Sequence, residues 1–432
     1  MDTWHAPASF LQERWFHSTV DHRCNHNNVV AWQVEGPVAP AALVAAVRAL
    51  AGRHETLRTS LHDHGDGVRQ TIAPPGAVPV WQSDVSGSAQ PERDLDKLII
   101  EAAERSFLLT EAPLWHAGLV RLDESRHVLV LVVSHAVSDG WSMGVLFRDF
   151  SRLLQAVVTG ADVWLPELAV QFGDYAAWER AAAEPRRISW WRERLPDPRP
   201  CFPGLPGYRR ESAFRMDGRV FPASGTPARL AELARPHGGG LAAAVTAGVL
   251  ATLSPYAGGE VVLGFLHANR DRPEMQPVVG PVFDYLPLVL TVSGTDSFAE
   301  LVRRACEEQR AARGHRLPLG VLERAVGRQL FDVAVEFLPH SQVAPTRVAG
   351  LEVTPYPVPE LTVRHSGDVS FAATVPLNYI TSETPSALGG VVYGNALAVA
   401  PRTMGELGDT YARVLARASD DPAQRVCDMI AG

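Results

Sequence analysis

Residues 128–146, VLVLVVSHAVSDGWSMGVL, decide how this chain is read. An unbroken apolar run stops at Ser134, His135 follows, and three residues later Asp139 and Gly140 precede a helical pattern. A β-rich apolar run of this length predicts a central strand buried on both faces. Asp139 stands where an N-cap belongs, ahead of apolar positions Trp141, Val145, Leu146, Phe150, Leu153, Leu154 and Val157, and Gly160 supplies the stop. The stretch therefore delivers a histidine to a loop at a helix N-terminus. A histidine beside a strand end is more often a hydrogen-bonded packing residue than a catalyst. A His-x-x-x-Asp-Gly string arises by chance only about 0.06 times in such a chain, and its strand-loop-helix setting narrows the choice further.

Bulk properties bound the rest. A chain of 432 residues exceeds the size at which a single core stops growing, so two lobes are expected. A net charge of −8 argues against nucleic acid or an anionic membrane as the main partner. Lys97 is the one lysine, a bias typical of GC-rich bacterial coding. Cys24, Cys201, Cys306 and Cys427 lie too far apart for a zinc or redox pair, which fits idle thiols in a reducing cytoplasm. The N-terminus lacks the basic start and apolar core of a signal peptide, and no 18-residue apolar run occurs. A cytoplasmic, non-membrane protein is expected. The His62-Asp63-His64 cluster sits in a Gly/Asp-rich turn with no third ligand in sight, so no metal is assigned to it.

Strands are predicted at 29–34, 67–72, 114–122, 127–134, 260–267, 286–292, 331–338, 369–375 and 389–393, and helices at 39–57, 95–107, 188–195, 226–235, 241–253, 297–313, 321–326 and 404–418. They mix without a strict βαβ rhythm, which favours a layered α/β sandwich over a doubly wound sheet. Between about 181 and 212 the composition shifts to Arg, Pro and Gly, and the boundary is placed there, giving lobes 1–184 and 185–432.

Several segments, taken in order, carry a resemblance. Gln12-Glu13-Arg14-Trp15-Phe16 resembles the opening motif of nonribosomal peptide synthetase condensation domains, and Arg53-His54-Glu55-Thr56-Leu57-Arg58-Thr59 is similar to their second motif. Ser134-His135-Ala136-Val137-Ser138-Asp139-Gly140 resembles their central His-His-x-x-x-Asp-Gly motif, and Asp174-Tyr175-Ala176-Ala177-Trp178 the segment that follows. Asn269-Arg270-Asp271-Arg272-Pro273-Glu274, Gly280 to Leu288, His315-Arg316-Leu317-Pro318 and Tyr393-Gly394-Asn395 extend the match, in family order, over almost the whole chain. The resemblance implies two chloramphenicol-acetyltransferase-like α/β sandwich lobes forming a V-shaped pseudo-dimer. The histidine loop would lie at their junction, on an inter-lobe tunnel open to a donor and to an acceptor. No cofactor of its own is implied, since the substrate rides on the phosphopantetheine arm of an acyl or peptidyl carrier protein. The acceptor is a small molecule or is itself carrier-bound. No carrier, adenylation or thioesterase motif accompanies the domain, so a free-standing, monomeric condensation-type enzyme of natural-product biosynthesis is expected.

Acyl transfer from a thioester needs a nucleophile relieved of its proton and stabilisation of the oxyanion that forms. His135 is the candidate for the first task, either as general base or as the hydrogen-bonding group that orients an amine or hydroxyl. Gly140 offers a backbone N–H at the positive end of a helix, or merely fits a tight turn. Asp139, four residues after the histidine, is assigned a structural role, and the resemblance makes Arg270 its ion-pair partner across the lobe junction. Arg58 is either a partner for an acidic group near the tunnel or a solvated helix end. Trp141, Ser138, Asp284 and Tyr285 are tunnel candidates, although Trp141, Trp178, Trp190 and Trp191 also read as packing residues.

Two departures from the family pattern stand out. Ser134 replaces the first motif histidine, and Asp284-Tyr285 replaces an Asn-Thr pair, which is expected to reshape the channel. Three functions stay open. The first is an amide- or ester-forming condensation enzyme. The second is a degenerate platform that recruits a carrier protein or tailoring enzyme. The third is an acyltransferase that uses a coenzyme A ester.

Overall fold

The computed structural model describes residues 3–162, 165–182, 184–195, 202, 204–209, 215–339, 345–359 and 375–431. The predicted strand at 369–375 lies outside them except for Val375, and Cys201 lies outside them too. The chain divides into two compact units, one of Met1–Ala181, Ala268–Phe283 and Gln342–Thr362, the other of Ala182–His267, Asp284–Ser341 and Val363–Gly432.

The first unit is organised by the decisive stretch. Arg126–Ser134 is a strand, buried from His127 onward, and the helix Gly140–Thr159 follows with Asp139 as N-cap and Gly160 as a left-handed C-cap at φ 65°. The strand lies inside a six-stranded sheet ordered Thr346–Val348, Leu351–Tyr356, Asn27–Glu35, Arg126–Ser134, Trp115–Arg121 and Val80–Asp84, with only the last pair parallel. Alternation divides its side chains between two layers. Val128, Val130 and Val132 pack with Leu95, Ile99 and Ala102 of the helix Pro91–Ala103. On the other face Trp32 meets the rings of Phe147 and Phe150 from Gly140–Thr159. Two covered faces explain the unbroken apolar run. A three-stranded antiparallel sheet of Trp4–Pro7, Val68–Ile72 and Thr59–Asp63 completes the unit.

The second unit holds a six-stranded mixed sheet ordered Met216–Ser224, Leu388–Asn395, Leu377–Glu383, Val333–Leu338, Glu260–His267 and Asp284–Thr291. Val333–Leu338 pairs in parallel with both neighbours, and the other pairs are antiparallel. The helices Leu241–Leu253, Phe298–Gly314 and Pro401–Asp420 pack with it. Both units are α/β sandwiches, as the pattern of elements predicts. No single helix among the described residues is long and apolar enough to cross a membrane.

Differences concentrate at element ends. The expected helix 39–57 ends at Arg53, because His54 turns extended at φ −101° and ψ 110°, and a 3₁₀ turn, Glu55–Arg58, follows. The expected helix 95–107 begins earlier, with Pro91 in its first turn, and ends at Ala103. The strands Met216–Ser224 and Leu351–Tyr356 were not expected, and their alternation is weak. Truncating Leu95 to Ala removes a fully buried side chain from the helix-to-sheet contact. Urea titration should show a loss of about 2–5 kcal/mol of unfolding free energy.

Candidate functional site

The histidine loop is fixed by its own backbone and by polar side chains from earlier in the chain. Beyond the last strand pair, Asn27 with Ser134, the His135 N–H donates to the His26 carbonyl at 2.8 Å. The Val137 N–H and Ser138 Oγ both return to the Ser134 carbonyl, each at 3.0 Å. Asn28 Nδ2 donates to Ser138 Oγ at 2.9 Å, and Gln12 Nε2 donates to the Ala136 carbonyl at 3.0 Å. Ser138 is thus fully buried and held inside the turn. Ser134, also fully buried, turns its hydroxyl to the Ala136 N–H.

Asp139 closes the loop. Its Oδ1 accepts the Ser142 N–H at 2.8 Å in a capping box, and Oδ2 accepts the Val282 N–H at 3.2 Å. Arg270 Nη2 lies 3.0 and 2.8 Å from the two carboxylate oxygens. Arg270 Nη1 donates to the carbonyls of Met275 and Val278 at 2.9 and 2.7 Å. The two side chains are only 6% and 2% exposed. The expected pairing therefore exists as a fully desolvated ion pair, and both residues belong to the first unit.

His135 stands among rings, 5.1 Å from Trp15, 4.7 Å from His26 and 5.4 Å from Phe283. The residue keeps partial exposure, while its Nδ1 is buried without a hydrogen bond among the described residues. Burial holds its pKa below the ordinary 6.5, against the opposing pull of the Asp139 carboxylate and of the backbone at His135 and Ser138. The ring is neutral at pH 7 and carries a lone pair. Gly140 is exposed, has no atom within 4 Å of where a Cβ would stand, and does not adopt a positive φ. Neither strain nor crowding requires glycine there, and the space beside its Cα is open.

The remaining candidates are dispersed. Arg58 donates through Nε to the Ala51 carbonyl at 3.0 Å and through Nη1 to that of Ala73, so it ties a helix to a strand end. Trp141 is 49% exposed and donates through Nε1 to the Gln276 carbonyl at 2.9 Å. In the second unit, Asp284 Oδ2 accepts the Leu319 N–H at 2.8 Å at the start of the helix Leu319–Val326. Tyr285, 3% exposed, donates its hydroxyl to Glu336 Oε1 at 2.6 Å, and the Tyr393 hydroxyl reaches the same oxygen at 3.3 Å. Burial pushes the Glu336 carboxyl up, which the two phenols partly oppose.

The second sequence motif has a packing role. His54 Nε2 and Arg53 Nε reach Asp149 Oδ2 at 3.1 and 2.9 Å, and this buried group joins the helices Pro40–Arg53 and Gly140–Thr159. Sequence reasoning missed His26, Trp15 and Phe283 as neighbours of His135. Pairing the predicted strands at 29–34 and 127–134 in antiparallel register would have found His26. Nothing local marks the other two.

Comparison with known proteins places this geometry. The family profile described as "Condensation domain" matches residues 3–383. Phosphinothricin tripeptide synthetase PhsC of Streptomyces viridochromogenes is 30% identical over 443 residues, which cover 96% of this chain and 39% of that protein. The chain spans 6 to 39% of the length of the first curated relatives it matches. Among solved structures, the X-domain from teicoplanin biosynthesis matches with a TM-score of 0.79 and 25% identity, covering 98% of this chain and 96% of that one. SgcC5 protein from Streptomyces globisporus, in complex with an aryl ethanediol, matches with a TM-score of 0.79 and 25% identity over 97% of this chain and all of that one.

Replacing Asp139 by Ala leaves the Arg270 guanidinium buried without its counter-charge. Chemical denaturation should show a loss of about 3–5 kcal/mol, larger than for an exposed pair such as Arg402 with Glu406.

Proposed function

The chain belongs to the condensation-domain family of nonribosomal peptide biosynthesis, and from that premise we propose that it is a catalytic acyltransferase. It joins an acyl or aminoacyl thioester, held on the phosphopantetheine arm of a carrier protein, to an amine or hydroxyl acceptor. The observation that carries the reading is the neutral His135 ring at a strand end, one tight loop before the exposed Gly140 that opens the helix Gly140–Thr159. His135 takes the proton of the nucleophile, or orients it, as the nucleophile attacks the thioester carbonyl. The oxyanion then forms near the positive end of the helix Gly140–Thr159. As the tetrahedral intermediate collapses, the proton returns to the departing thiolate, so the carrier leaves as a free thiol. An alcohol acceptor depends on the base more than an amine does, because its hydroxyl is far less acidic. The aryl ethanediol held by the SgcC5 protein makes alcohols worth including among the acceptors.

A second reading, a platform that docks a carrier protein or tailoring enzyme, is favoured by Ser134 and by the match to an X-domain. A panel of acyl- and aminoacyl-pantetheine thioesters, offered with amines and alcohols, separates the two. Mass spectrometry should find amide or ester products with the wild-type protein and a rate at least about 10²-fold lower with His135→Ala. No product with either protein favours the platform, whereas equal product with and without the imidazole removes His135 from the mechanism.

The pH profile has a definite sign. Because burial lowers the His135 pKa below 6.5, the ring stays neutral down to that lowered value. With an alcohol acceptor, which does not itself titrate in this range, kcat/KM should be flat from neutral pH down to about 6.5 and fall only below it. With that acceptor, an acid limb centred above about 6.5 would contradict the assignment of His135 as the base.

A further inference from the structure

The register of the central strands sets two histidines side by side. Asn27 faces Ser134 at the end of the antiparallel pair, so one position further His26 stands opposite His135. The 2.8 Å bond from the His135 N–H to the His26 carbonyl shows that the pairing continues past the strand ends. Residues directly opposite one another project to the same side. The imidazoles accordingly meet with their centroids 4.7 Å apart and their planes 66° apart, and Trp15 completes the group at 5.1 Å from His135 and 6.4 Å from His26.

Polar atoms around this pair outnumber their partners. Trp15 is 1% exposed, yet its Nε1–H makes no hydrogen bond among the described residues. The same holds for Nδ1 of His135. Buried polar groups are ordinarily paired, so two unpartnered polar atoms on rings in contact stand out. Ser134, the chain neighbour of His135, has no ring and spends its hydroxyl on the Ala136 N–H. Any imidazole partner for His135 comes from across the strand pair.

We infer that His26 is a positioning residue for His135, setting the orientation of that ring and which of its nitrogens carries the proton. In a neutral imidazole one nitrogen donates and the other accepts, and its neighbours select which. The Asp139 carboxylate, neutralised by Arg270, and the backbone at His135 and Ser138 also act on this ring, and His26 is the titratable side chain packed directly against it. The kinetic consequence rests on the proposed acyl transfer. The pairing rests on the strand register alone.

The test compares the wild-type protein with His26→Phe, which keeps a ring without nitrogens, and His26→Asn, which keeps a donor and an acceptor. His135→Ala is the control. Imidazole ¹⁵N resonances of His135 are titrated in each folded protein, and kcat and KM are measured with the fastest thioester and acceptor pair from the panel. Expected for His26→Phe is a shift of about half a unit or more in the His135 midpoint. A kcat about tenfold lower, an acceptor KM within about twofold and partial recovery in His26→Asn should accompany it. A His135 titration that is the same in all three proteins overturns the inference, whatever the rates. If His26→Phe does not fold, the titration of His26→Asn against the wild type decides. Undiminished turnover in His135→Ala defeats the role given to His135 in the transfer instead, and leaves the titration to judge the pairing.

Discussion

A carboxylate and a guanidinium taken out of water together stabilise a fold only when their remaining donors and lone pairs are also satisfied. Asp139 and Arg270 come close to that condition. The aspartate caps one helix, accepts the Val282 N–H and faces the arginine with both oxygens, while the arginine answers the carbonyls of Met275 and Val278. One desolvated pair therefore fixes three things at once: where the helix Gly140–Thr159 begins, how tightly the loop before it turns, and where the segment Ala268–Phe283 lies within the first unit. Phe283, at the end of that segment, reaches the His135 ring. Removing the pair would disturb the histidine without touching it.

Two buried polar groups in this protein illustrate how burial acts by charge type. Desolvation disfavours the charged form of any group, so it lowers the histidine and raises the carboxylic acid. His135 is kept ready to accept a proton, and Glu336, among the hydroxyls of Tyr285 and Tyr393, is kept inclined to hold one. The His54 and Asp149 contact shows the structural use of the same chemistry, where a buried carboxylate is met by two arginines and a ring and serves to join helices.

Much of the architecture was legible because the decisive signals are local. An apolar run with covered faces, an aspartate at an N-cap and a glycine at a C-cap act within a few residues, and the strand, helix and caps stand where they were expected. The pairing of Asp139 with Arg270, 131 positions away, followed from resemblance and not from any rule of spacing. The surroundings of His135 were harder. Trp15 lies on a helix that no strong periodicity announces, Phe283 arrives from a distant segment, and His26 becomes a neighbour only once the strand register is known. Side chains that looked reactive by type, such as Arg58 and Asp284, turned out to be spent on backbone groups. Sequence marks which residues carry chemistry, whereas register and packing decide which of them meet.

The central claim is that one neutral imidazole moves or holds the proton of the nucleophile. It is tested most directly by adding free imidazole to the His135→Ala protein during single-turnover transfer from an acyl-pantetheine thioester. The account predicts a rate that rises with imidazole concentration and falls off on the acid side near the pKa of imidazole itself, about 7. Full transfer by His135→Ala with no imidazole present would contradict it.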